Sequence, residues 1–296
     1  MGRRVPPPPV LALPPVARLA VPVFGAVGGC GSSVVAALLA SRVHALLPPP
    51  QALAVVDTAH ALGSPWPAAA STKPPYGAAD LERLDPRQHL ISACADIAVP
   101  TGTLRMLANG PHVPGAARID FRGPHAYQGL IYPTQALVVD AGSDEGQSLA
   151  DQALGGPISP LNQWISLGQL ALAPVWVAPA TGWGMDRLIA AVSAAERTGA
   201  LPQNWVVVVN HLAGGSTPRP VKAQLAMLAG RVFEIFHLRH RPVFEASSSP
   251  VLEALRAPPH DEVSALALTV AAAAGVSTRT APQVASQSTS GQKVNA

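Results

Sequence analysis

Residues 204–212 read NWVVVVNHL, an unbroken valine run bounded by polar residues. A run of that length and β-branched content reads as a strand with no face left for water. It has companions. RLAVPVFGAV (18–27), ALAVVDT (52–58), GTLRMLA (102–108), QALVVDAG (135–142), LALAPVWVAPA (170–180) and VFEIFHL (232–238) are all short and apolar. Between them lie helical stretches: 32–47, 185–199, 219–231 and 261–275. Fully apolar strands separated by helices demand a doubly wound α/β fold, a mostly parallel sheet with helices on both faces. Ligands of such sheets sit at the carboxyl ends of the strands.

The remaining segments set the limits of that domain. Residues 1–17 carry prolines at 6–9, 14 and 15, and read as a disordered, polyproline-like arm. The Arg3–Arg4 pair invites a signal-peptide reading, but the prolines would break the apolar helix that such a signal needs. Residues 277–296 lack apolar periodicity and read as a disordered tail, which leaves 18–276 as one domain. Segments 63–101 and 143–168 are rich in Pro, Gly, Ser and Ala and read as long surface segments. The run 263–276 is about one turn too short to span a bilayer, so no membrane span is expected. Two isolated cysteines, Cys30 and Cys94, form neither a metal motif nor a disulfide framework, which suits a reducing cytoplasm. Arginine supplies nearly all of the positive charge, a bias of high-GC genomes, and the net charge of +3 is too small to argue for nucleic acid by itself.

The first strand runs into GAVGGCGSSVVAALLA (25–40), a glycine loop that opens a helix. Free backbone N–H groups at a helix N-terminus attract anions, and glycines let the backbone curl around phosphate oxygens. Gly28, Gly29, Cys30, Gly31, Ser32 and Ser33 are therefore the candidate phosphate-binding residues. Ser33 stands where a hydroxyl would hold magnesium. Asp57 and Asp140 end two strands, where carboxylates would face the loop and hold the ion through water. Asn210 ends a further strand, where its amide would read an adenine edge.

In order and spacing these pieces resemble the MinD/ParA family of P-loop ATPases, over residues 18–275, and within it the divergent branch of pilus-assembly localisation proteins. The family loop K-G-G-x-G-K-[ST] is met by VGGCGSS (27–33), its D-x-D strand end by DTA (57–59), its Walker B aspartate by Asp140 and its adenine-side asparagine by Asn210. IFHLRH (235–240) is a poor match to the family's late I-P-x-D turn. The resemblance implies ATP or ADP with magnesium as cofactor, homodimerisation, and a protein partner in an assembly or localisation system. The departures bear on hydrolysis. Val27 replaces the signature lysine, Ser32 the Walker lysine, and Ala59 the aspartate that orients water in the family. Each lysine would donate charge-assisted bonds of about 1.5–3 kcal/mol to phosphate, and phosphoryl transfer depends on neutralising such charge. Arg18 and Arg187 are the candidate substitute cations.

Two readings follow. In the first, the chain is a nucleotide-binding or scaffolding protein that does not hydrolyse, and it positions a larger assembly in partition, septum placement, pilus or secretion machinery, or conjugal transfer. In the second, it is a slow ATPase cycling between monomer and dimer on DNA or a partner surface. Arg219, Lys222, Arg231, Arg239 and Arg241 would then supply a nonspecific DNA face. The spacing of His211, His237 and His240 argues against a metal site. Trp164, Trp176, Trp183 and Trp205 read as core and rim packing residues, with a partner-facing role for Trp183 as the alternative.

Overall fold

The computed structural model describes residues 9–14, 17–58, 64–72, 93–108, 123–131, 133–258 and 261–280. The sheet strands are β2 (Arg18–Gly25), β3 (Leu53–Asp57), β4 (Ala95–Val99), β5 (Gly102–Leu107), β6 (Ala136–Asp140), β7 (Leu170–Leu172), β8 (Val175–Pro179), β9 (Val206–Asn210) and β10 (Glu234–Leu238). Their order is β10-β9-β8-β2-β6-β3-β5-β4, with β7 beside the start of β2. Every pair is parallel except β4–β5.

The central strands feed two cores because successive side chains point to opposite faces. Val21, Val23, Val55, Val138 and Val208 pack with helices α1 (Ser32–Leu46), α8 (Pro250–Arg256) and α9 (Asp261–Ala273). Ala20, Phe24, Val56, Val139, Trp176 and Val207 pack on the other face with α3 (Glu145–Ala153), α5 (Gly182–Thr198) and α6 (Arg219–Leu228). Thr181 caps α5 by accepting from the Gly184 N–H at 3.2 Å, and Gly199 closes that helix at φ 76°.

The structure departs from the sequence reading in four places. The apolar stretch 170–180 is two strands, broken at Ala173–Pro174. β7 pairs with Arg18–Ala20 and β8 with Val23–Gly25, so the two share one edge of β2. The segment 63–101 contains β4, an alternating edge strand. The segment 143–168 contains α3 and α4 (Pro160–Ser166). Finally, β1 (Pro9–Ala12) and β11 (Ser277–Thr280) pair antiparallel, Pro9 opposite Thr280, so parts of both terminal segments are ordered. Leu11 of that ribbon is fully buried against the core that contains α1. No helix among the described residues is long and apolar enough to cross a membrane.

One buried side chain makes stability pH-dependent. His44, on α1, is buried with Nδ1 2.7 Å from the Thr101 hydroxyl, and burial lowers its pKa below the usual histidine value. A lowered folded pKa means that the unfolded chain binds the proton more readily. Its contribution is present above the ordinary histidine pKa and is lost as pH falls toward the folded value. Denaturant titrations between pH 8 and 5 should therefore show stability falling on acidification, with a shallower fall in His44→Gln.

Candidate functional site

The carboxyl ends of β2, β3, β6, β8 and β9 converge on the glycine loop. Asp57 and Asp140 are register partners at the ends of adjacent strands, and Val23, two residues before the loop, pairs with Asp140 on the other side. The sequence thus brings both acids beside the loop because each occupies the last position of its strand. The Gly142 carbonyl accepts the Gly25 N–H at 2.7 Å, which ties the segment after β6 to the start of the loop.

The loop backbone is shaped by two left-handed residues, Gly29 at φ 73° and Gly31 at φ 86°. Gly31 is the N-cap of α1, no side chain caps that helix, and its first turn carries no acid. The first N–H groups of α1 have no intrahelical acceptor, so they and the helix dipole offer an anion site. Cys30 turns inward: a Cβ on Gly25 would lie 2.8 Å from its Sγ. Burial raises its thiol pKa, so the side chain is an inert packing group and its main chain alone faces the loop's chemistry. The Ser32 hydroxyl bonds that same thiol.

Asn210 has a role that was not expected from sequence. Its Nδ2 donates to the Cys30 carbonyl at 2.8 Å, fastening the loop to the end of β9. Its carbonyl oxygen and second N–H remain for a ligand.

The acidic centre is buried. Asp57 and Asp140 are 1% and 2% exposed. Asp140 takes bonds from the Ser33 hydroxyl and the Gly142 N–H, and its Oδ2 accepts the Trp66 indole N–H at 2.9 Å. Burial nevertheless pushes its carboxyl above the usual carboxylate range. Asp57 accepts from the Ser64 hydroxyl. Ser64 and Trp66 were not singled out from sequence, because they lie in a proline-rich stretch that carries no strand or helix periodicity. The one available signal was a tryptophan between two prolines, SPWPA (64–68).

The donor set fits magnesium. Ser33 and Asp140 are already bonded partners at the helix N-terminus, both supply hard oxygen, and Asp57 stands on the neighbouring strand. No group of three or more His, Cys, Asp or Glu among the described residues could hold a metal by itself.

No family model matches the chain, and no curated protein matches it in sequence. Solved structures do match in shape. A ParA family ATPase from Chlorobium tepidum is 16% identical with a TM-score of 0.52, over 87% of this chain and 98% of that one. The MinC:MinD cell division complex of Aquifex aeolicus gives 14% and 0.53, over 86% and 94%. A Cyanothece McdA variant in complex with ATP gives 12% and 0.52, over 88% and 97%. The fold is that of the ParA/MinD ATPases.

Within this ParA/MinD-like fold two of the three departures in sequence can be placed. Val27 is half-buried against the core, and Ser32 is bonded to Cys30. Ala59 lies outside the described residues. Arg18 begins β2, at the opposite end of the strand from the loop, seven residues or roughly 23 Å away. Arg187 is held 4.4 Å over the ring of Trp183, which is 60% exposed, whereas Trp164, Trp176 and Trp205 are fully buried. The late basic residues are interleaved with acids. Arg231 is paired with Glu196 at 2.7 Å and Arg241 with Glu262 at 3.3 Å. Arg239 lines an open cavity of about 940 Å³ together with Glu253, Asp261 and Glu262. His211 and His237 face each other at 3.2 Å; burial and the neighbouring His237 lower the pKa of His211.

Proposed function

We propose that the chain is a nucleotide-binding or scaffolding protein that uses a ParA/MinD-like fold to position a larger assembly, without efficient hydrolysis. One observation carries the reading. The loop turns through left-handed Gly29 and Gly31 into an uncapped helix N-terminus beside the Ser33–Asp140 pair, as a magnesium-phosphate site would need, while both lysine positions hold side chains without charge. Backbone amides, the α1 dipole, Ser33 and Asp140 would hold the phosphates and the ion, and Asn210 would contact the base. When bound, magnesium would neutralise phosphate charge, a task left to it by the missing lysines. A relative in fold is solved with ATP and another as a complex with its partner protein, which supports adenine nucleotide as ligand and a protein partner for this chain; homodimerisation belongs to the same proposal through the sequence resemblance.

Labelled ATP and ADP titrated with magnesium onto the full chain test this reading. Saturable binding is expected, weakened about tenfold or more in Ser33→Ala and Asp140→Asn, with no phosphate release above background. Absence of binding at millimolar nucleotide would remove the nucleotide half of the proposal. Turnover abolished by Asp140→Ala would remove the non-hydrolysing half.

A further inference from the structure

The segment 64–72 touches two distant parts of the fold. At its start, Ser64 donates to Asp57, the Trp66 backbone N–H donates to the Ser64 hydroxyl at 3.2 Å, and the Trp66 indole donates to Asp140. The chain then makes one 3-10 turn, Pro67–Ala69, with Trp66 and Ala69 buried in the core beside Val251 and Leu255 of α8. At its end it reaches β4, the last strand of the sheet. The Ser71 N–H donates to the Asp96 carbonyl at 2.7 Å, the Ala98 N–H donates to the Ser71 hydroxyl at 3.1 Å, and the Asp96 N–H donates to the Thr72 hydroxyl at 2.9 Å. Three polar groups on the outer side of a terminal strand, a place where exposed backbone invites mispairing, are thereby satisfied.

We propose that residues 64–72 are a strap that couples the acidic centre to the outer edge of the sheet, with Trp66 as the positioning residue for Asp140. In the closed state Asp140 holds the indole and the edge is sealed. When Asp140 turns toward a metal ion, the indole loses its acceptor, a buried donor is left unpaired, and the strap loosens where its bonds are most exposed, at β4. The metal arm of this inference rests on the nucleotide reading above; the coupling itself does not.

Amide exchange in the full chain, without nucleotide, tests the coupling. Trp66→Phe keeps an aromatic ring in the core and removes the indole N–H. Exchange at Asp96 and Ala98 is expected to rise about tenfold, while Val207 and Val208 of β9 stay protected. Asp140→Ala should reproduce the effect, and Asp140→Asn, which keeps an acceptor, should restore protection. Unchanged exchange at Asp96 and Ala98 in Trp66→Phe overturns the proposal, as does equal acceleration in β9, which would mean general destabilisation. Magnesium-ATP on the wild type then separates the two readings. Binding by calorimetry with faster exchange at β4 supports both. Binding without it leaves the nucleotide site standing and overturns the metal arm of the strap. Absence of binding rejects the nucleotide reading, and the Trp66→Phe result alone decides the strap.

Discussion

Gly31→Val is expected to cost about 2–4 kcal/mol of stability, and to abolish any anion binding at the loop. Two independent effects combine. The residue sits at φ 86°, a left-handed conformation that a β-branched side chain adopts only under strain. A Cβ there would also lie 2.5 Å from Asn210 Nδ2, inside any normal contact, so the Asn210 bond to the Cys30 carbonyl must break. Chemical denaturation measures the loss. A double-mutant cycle separates the causes: Gly31→Ala should cost less in an Asn210→Ala background than in the wild type, because the clash is gone and only the backbone strain remains. Equal costs in the two backgrounds would mean that Asn210 yields without resistance.

The second large effect lies away from the site. Trp176 on β8 is fully buried, stacked on Trp205 at 4.8 Å and 17°, with Phe24 at 5.3 Å. Trp176→Ala opens a cavity between the sheet and the helices of that face, at a cost of about 3–5 kcal/mol. Trp176→Phe should recover most of that loss. The indole N–H of Trp176 has no partner among the described residues, so its removal relieves an unsatisfied donor while the ring stack is partly kept. Thermal unfolding ranks the three proteins. If Trp176→Phe proved as damaging as the alanine, the unpartnered N–H would not be costing stability.

What was readable in the sequence follows from which forces act locally. Strands such as Val206–Asn210 and Ala136–Asp140 announce themselves because burial on both faces demands an apolar residue at every position before the last. The loop does so because left-handed turns demand glycine at 29 and 31. Asp57 and Asp140 were found because strand ends in a parallel sheet share one edge. β4 was missed because its alternating ADIAV pattern is short and sits in alanine-rich surroundings. The break at Pro174 was missed because both halves of 170–180 are apolar. The roles of Trp66, Ser64 and Asn210 depend on contacts made across the fold, and no spacing in the chain encodes them.

The ribbon of β1 and β11 has a mechanical consequence. Pro9 lies opposite Thr280, so the chain enters and leaves this body at one point. Tension applied between residues 9 and 280 would peel the ribbon one bond at a time, as a zipper opens, instead of shearing all of its bonds together. The ribbon would give way before the parallel sheet carried any load. A linker joining the two sides needs only a few residues, and anything attached to either would depart from the same spot on the surface.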